Sequence, residues 1–244
     1  MNHRFSTLHI LLLAAGIAGA TGAHAAEINT LQLLSQAQFR GLSEDLGAAL
    51  SFKPLIPSES LGLTGFDVGI AVTGTKLQNR AAFQTAAGGA SVPATLPVPT
   101  LRVHKGLPLN IDIGATYSAV PSSNVRVIGG ELRWAVLPGS TLVPAIALRA
   151  SVTRLSGVDQ LEFGTTGLDV SISKGFAMFT PYGGVGTVRT KSDAQGSATQ
   201  VTESFSQGRV FAGVNVSLGL VNLAFEGDKT GDATSYGMKF GLRF

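Results

Sequence analysis

The chain has no cysteine. That excludes a disulfide-stapled secreted domain and a thiolate metal site together. It has little histidine. Three of the four, His3, His9 and His24, fall in the first 25 residues, so His104 alone is left for imidazole chemistry. It has little charge, with Asp, Glu, Lys and Arg making up 14% of 244 residues. The 18 basic and 15 acidic side chains are too evenly balanced for the basic footprint of a nucleic-acid binder. Beyond residue 25 there is no uninterrupted apolar run of about 18 residues, the length a spanning helix needs. Yet the mean hydropathy is positive, +0.29. A chain this apolar, without such a helix, has one remaining way across lipid. That way is a closed barrel, in which every backbone polar group is paired from strand to strand.

What is present begins with a leader. Arg4 precedes a compact apolar run, Ile10 to Leu13 and on through Ala18, and Ala23-His24-Ala25 is a small-x-small site. This pattern predicts a cleaved secretory signal peptide over 1–25. From about residue 62 onward, apolar residues recur with a period of two. Phe66, Val68, Ile70 and Val72 alternate with Asp67, Gly69, Ala71 and Thr73, and Leu109, Ile111, Ile113 and Tyr117 alternate with Asn110, Asp112, Gly114 and Thr116. The second face is rich in Gly, Ala, Ser and Thr, not in charge. A soluble sandwich would need more charge on its outer face. A membrane barrel turns its apolar face to lipid and its small or polar face to the lumen.

The expected fold is therefore all-β, a transmembrane antiparallel up-and-down barrel over 61–244. Ten strands are predicted at 62–76, 98–105, 109–119, 125–137, 141–154, 161–174, 177–190, 203–217, 220–230 and 233–244. Strand 177–190 has no clear facing, because Phe179 and Tyr182 differ in parity. Tight Gly- or Pro-containing connections alternate with longer ones, above all 77–97 and 191–202. That asymmetry fits periplasmic turns and external loops. Residues 26–60 differ. Leu31, Leu34, Leu42 and Leu46 fall near helical spacing, with Asn29 or Thr30 as N-cap, so 27–50 reads as a lumen-plugging or periplasmic helix and 51–60 as a Pro-broken lead-in.

Tyr236, Met238, Phe240, Leu242 and Phe244 put apolar side chains at every second position up to a terminal aromatic. This resembles the C-terminal assembly signal of bacterial outer-membrane barrels, read by the barrel-assembly machinery. The segment Thr180-Pro181-Tyr182-Gly183-Gly184-Val185-Gly186 is similar to strands of small barrels of that kind. Phe39-Arg40-Gly41-Leu42, Gly47-Ala48-Ala49 and Lys53-Pro54-Leu55 resemble, loosely, the N-terminal hatch of the long-chain fatty-acid transporter family. The resemblance implies a plug. Together these resemblances imply residence in the outer membrane, among its lipid and lipopolysaccharide.

Chemistry is sparse. A lipid-modifying hydrolase needs a nucleophile, a His base and an orienting group. His104 stands near a predicted turn with no Ser two residues away, and the mature chain has no Asp-x-Asp. No enzyme, metal or cofactor is expected. The informative charges lie on the lumen face: Arg102, Asp112, Glu131, Arg133, Arg149 and Asp169, with Arg209, Glu226 and Lys239 beyond them. Turn lengths predict Asp112 opposite both Arg102 and Arg133, with Arg149 diagonal to Glu131 and to Asp169. Two functions fit. The first is a narrow or plugged barrel for small or hydrophobic molecules. The second is a structural or interaction barrel acting through its external loops.

Overall fold

The computed structural model describes residues 30–120, 125–195 and 201–244. The predicted signal peptide lies outside them. The ten strands are β1 Phe66–Lys76, β2 Thr95–Leu107, β3 Ile111–Ala119, β4 Arg126–Leu137, β5 Ala145–Ser156, β6 Leu161–Ser173, β7 Phe179–Ala194, β8 Val201–Leu218, β9 Val221–Thr230 and β10 Ala233–Arg243. Each pairs antiparallel with its sequence neighbours, and β1 pairs with β10, so the sheet closes into a barrel. At this seam Phe66 and Phe244 exchange backbone hydrogen bonds (2.6 and 3.0 Å) and their rings stack. Closure leaves no sheet edge to satisfy.

Side chains alternate across the wall as the sequence implies. On β5, Leu148, Val152 and Arg154 are exposed, whereas Ala147, Arg149, Ser151 and Thr153 are buried. Val68, Ile70, Val72, Leu101, Leu132, Leu168, Val170, Val210, Phe225, Met238 and Phe240 all face outward. An exposed apolar surface of this extent is stable only against lipid. Strand β7 resolves its ambiguous parity, since Phe179 faces outward and Tyr182 is buried inside.

One rim, here the turn rim, carries the start of β1, the end of β10 and the connections 108–110, 138–144, 174–178 and 219–220. The opposite loop rim carries the longest connection, 77–94, which includes a short helix, α2 (Arg80–Ala86).

Helix α1 (Gln36–Leu50) closes the lumen at the loop rim. Its N-cap is Ser35, not Asn29 or Thr30. Ser35 and Gln38 form a reciprocal capping box, Ser35 N donating to Gln38 Oε1 (2.9 Å) and Gln38 N to Ser35 Oγ (3.3 Å). Phe39, Leu42, Leu46 and Leu50 face Phe83 of α2 and Val98, Val127, Leu155 and Phe163 of the wall, making an apolar plug. The Asp45 carboxylate accepts from the N–H groups of Asn79 (2.7 Å) and Gln78 (2.9 Å), which ties α1 to the start of α2. Burial pushes this carboxyl's pKa up, and the two amide donors pull it down. The helix thus packs inside the barrel as a plug at the loop rim. Residues 51–60, the Pro-broken lead-in, reach β1 from inside the barrel. They run through the lumen as an extended thread, buried from Ser51 to Ser58, from the loop rim to the turn rim.

Candidate functional site

The thread has few internal hydrogen bonds, and Pro54 and Pro57 lack an N–H altogether. A buried backbone without partners would be costly, and the wall supplies them. Arg209 Nη1 donates to Phe52 O (2.6 Å), Arg102 Nη2 to Pro54 O (2.7 Å) and Arg133 Nη1 to Pro57 O (2.6 Å). Glu226 accepts from Leu55 N (2.8 Å), Ser173 from Ser58 N (3.0 Å) and Asp112 from Leu61 N (3.0 Å). Lys53 of the thread reaches Asp228 with both oxygens at 2.9 Å. The lumen charges therefore hold the thread as well as one another.

Their mutual pairing forms a belt. Asp112 stands opposite Arg133, Oδ2 to Nη2 2.6 Å. Arg149 stands directly opposite Asp169 rather than diagonal to it, at 3.1 Å, and lies 3.8 Å from Glu131. Asp169 continues to Arg209 at 3.5 Å. Asp67 joins the seam, 2.8 Å from both Lys239 and Arg243. His104 Nε2 lies 3.0 Å from Glu131, both wholly buried.

Besides that of Arg149 with Asp169, two predicted registers are wrong. Arg102 faces Thr116, and Gly106 rather than Arg102 faces Asp112. The turn sits at 108–110, with Leu109 and Asn110 both at positive φ, and strand β2 runs on through Gly106. Likewise Trp134 opposite Leu148, not Leu137, begins the regular pairing with β5, which sets Arg133 opposite Arg149. The connection 138–144 is longer than the three residues expected, Leu142 lies in it, and a bulge lies between Trp134 and Leu137. Two guanidiniums side by side are tolerated because Asp112 and Asp169 flank them and the thread carbonyls of Pro57 and Glu59 accept from Arg133. The pairs His104–Glu131, Asp67–Lys239 and Lys53–Asp228 had no sequence signal beyond a polar residue on a lumen face.

The chain is a membrane barrel plugged by its own N-terminal segment.

No family model matches it, and no curated protein does either. Among solved structures it is similar to bacterial outer-membrane β-barrels. The N-terminal barrel domain of OprF from Pseudomonas aeruginosa aligns at 13% identity over 75% of this chain and 99% of that one, with a TM-score of 0.37. OprG from the same organism gives 12%, 78%, 99% and 0.36. The outer-membrane protease OmpT of Escherichia coli gives 9%, 74%, 95% and 0.38.

Beside the thread, between Phe52, Arg102, Thr116 and Thr153, a cavity of about 30 Å³ remains, room for very few waters. The belt is closely fitted elsewhere. A Cβ on Gly114 would stand 2.6 Å from His104 Nε2 and 2.8 Å from Glu131 Cγ. Gly114→Val is therefore expected to lower unfolding free energy by about 1–3 kcal/mol. Gly208→Ala, whose new carbon meets nothing within 4 Å, is the control. Urea unfolding in detergent separates them, and equal midpoints would show that the belt yields freely.

Proposed function

We propose that this is an outer-membrane protein whose barrel is sealed rather than conducting, and which acts through the surface it presents at its loop rim. The observation that carries this reading is the anchoring of the thread. Side chains from β2, β3, β4, β6, β8 and β9 hold its backbone inside a lumen closed above by α1. A transport barrel for small or hydrophobic molecules would have to break these bonds in each cycle. Each buried ion left unpaired would cost several kcal/mol. A non-enzymatic role is supported by His104, which lies against Glu131 with no solvent access.

The turn rim faces the periplasm in this reading and the loop rim faces outward, as short turns and longer loops imply. Purified, refolded protein is expected to show heat-modifiable mobility and no steady current in a planar bilayer. A persistent ohmic pore would exclude the sealed reading. Ala90→Cys, a unique thiol at an exposed position of the 77–94 connection, should be labelled on intact cells by an impermeant maleimide. Labelling only after lysis would invert the orientation.

A further inference from the structure

The outer wall across β4–β7 departs from an even lipid-facing surface. Two depressions lie one above the other on the same four strands. The upper, about 640 Å³, is lined by Ile128, Gly130, Val152, Arg154, Arg189 and Lys191. The lower, about 550 Å³, is lined by Leu132, Trp134, Leu148, Ala150, Leu168 and Val185. The hollow follows from sequence, because Gly130, Gly164 and Ala150 occupy outward positions where neighbouring rows carry Ile, Val or Leu.

The register places charge around the top of this trough. Arg154 pairs with Gly164, and Gly164 with Lys191, so two cations flank a position with no side chain. Arg189 pairs with Thr166 one row lower, about 7 Å along the strand. Glu162 and Asp193 stand one row higher and face each other. Glu162 engages Arg154 at 3.4 Å, with both side chains more than half exposed. Among the described residues neither Arg189 nor Lys191 makes an ion pair; Arg189 donates to Ser204 Oγ at 3.4 Å. Ile128 is level with Arg154 and Val152 with Arg189, and the outward positions above them on these strands are Arg126, Ser156, Glu162 and Asp193, so the cations sit where the apolar surface ends, at headgroup depth.

We infer that this trough binds a phosphorylated, multiply acylated glycolipid of the outer leaflet, the chemistry of the lipopolysaccharide anchor. Arg154, Arg189 and Lys191 take its phosphates, and the groove from Gly130 to Trp134 takes acyl chains. Arginine suits this role through its planar fork of donors. Charge alone does not single out the place, since Lys76 and Lys229 flank Thr234 on the other side of the barrel. Charge above a preformed apolar hollow does. This inference rests on the loop rim being external.

The test is titration of the full barrel in detergent with bisphosphorylated hexa-acyl lipid A, followed by native mass spectrometry. Arg189→Gln with Lys191→Gln is expected to weaken binding about tenfold or more. Gly130→Leu, whose Cβ has 3.9 Å of clearance, should weaken it with no change of charge. Lys76→Gln with Lys229→Gln should bind as the wild type does. Equal affinity of the Arg189/Lys191 variant and wild type would overturn the inference. So would equally tight binding of dephosphorylated lipid A or phosphatidylglycerol, or an equal loss in the Lys76/Lys229 variant. Heat-modifiable mobility of each variant reports folding separately, and the Ala90→Cys labelling reports orientation separately.

Discussion

Asp112→Ala is expected to lower the stability of the barrel by about 3–5 kcal/mol, among the largest effects of any single substitution. Asp112 is fully buried and accepts from Arg133 Nη2 (2.6 Å) and Nε (3.2 Å), from Ser60 Oγ (3.1 Å) and from Leu61 N (3.0 Å). Its loss strands the Arg133 guanidinium, itself 1% exposed, beside Arg149. Converting Arg133 to Met as well removes the stranded charge, so Asp112→Ala/Arg133→Met should be no less stable than Asp112→Ala alone. The cost would exceed this only if the carbonyls of Pro57 and Glu59, left without Arg133, outweighed a buried ion. Urea unfolding followed by Trp134, the sole tryptophan, measures both variants. Strictly additive losses from Asp112→Ala and Arg133→Met would mean that the two side chains do not act as a pair.

Deleting residues 30–57 is expected to turn a silent bilayer into one with discrete current steps. The deletion removes α1 and most of the thread, and the freed groups of Arg102, Arg133, Arg209 and Glu226 become hydrated. An eight-stranded barrel is filled by its own side chains. Ten strands enclose more room, which here the thread occupies. Because the lumen carries both signs, the opened path should discriminate weakly between small anions and cations and lose current as salt is lowered. If the deleted protein folds, shifts on heating and still passes no current, the wall side chains seal the lumen without help.

Most of the barrel was legible in the sequence because lipid enforces period two without interruption. All ten strand starts are within four residues of expectation, and the one pair of charges set by an unambiguous loop, Asp112 and Arg133, stands in the predicted register. The turns at 106–110 and 138–144 were not legible. Gly106 and Pro108 both read as turn residues, yet the backbone turns at Leu109 and Asn110, whose positive φ no glycine announces. The capping box Ser35-x-x-Gln38 was present in the sequence and outweighs the leucine spacing that pointed to an earlier start. The route of 51–60 was not legible at all. An extended Pro-containing stretch has no periodicity, and its partners come from six strands distant in sequence. The belt pairs at the seam share that reason, since no loop sets the register of β1 against β10.

The thread also constrains the order in which the molecule is made. It enters at the loop rim, leaves at the turn rim and continues directly into β1. A barrel already closed would have to admit α1, an object about 10–12 Å across, end-on past Arg102, Arg133 and Arg149. A sheet still open between β1 and β10 has only to curl around it. The first described residues are thus enclosed once β1 pairs with β10. Closure and sealing are a single event, so at no stage of its folding does this chain expose the membrane to an empty pore.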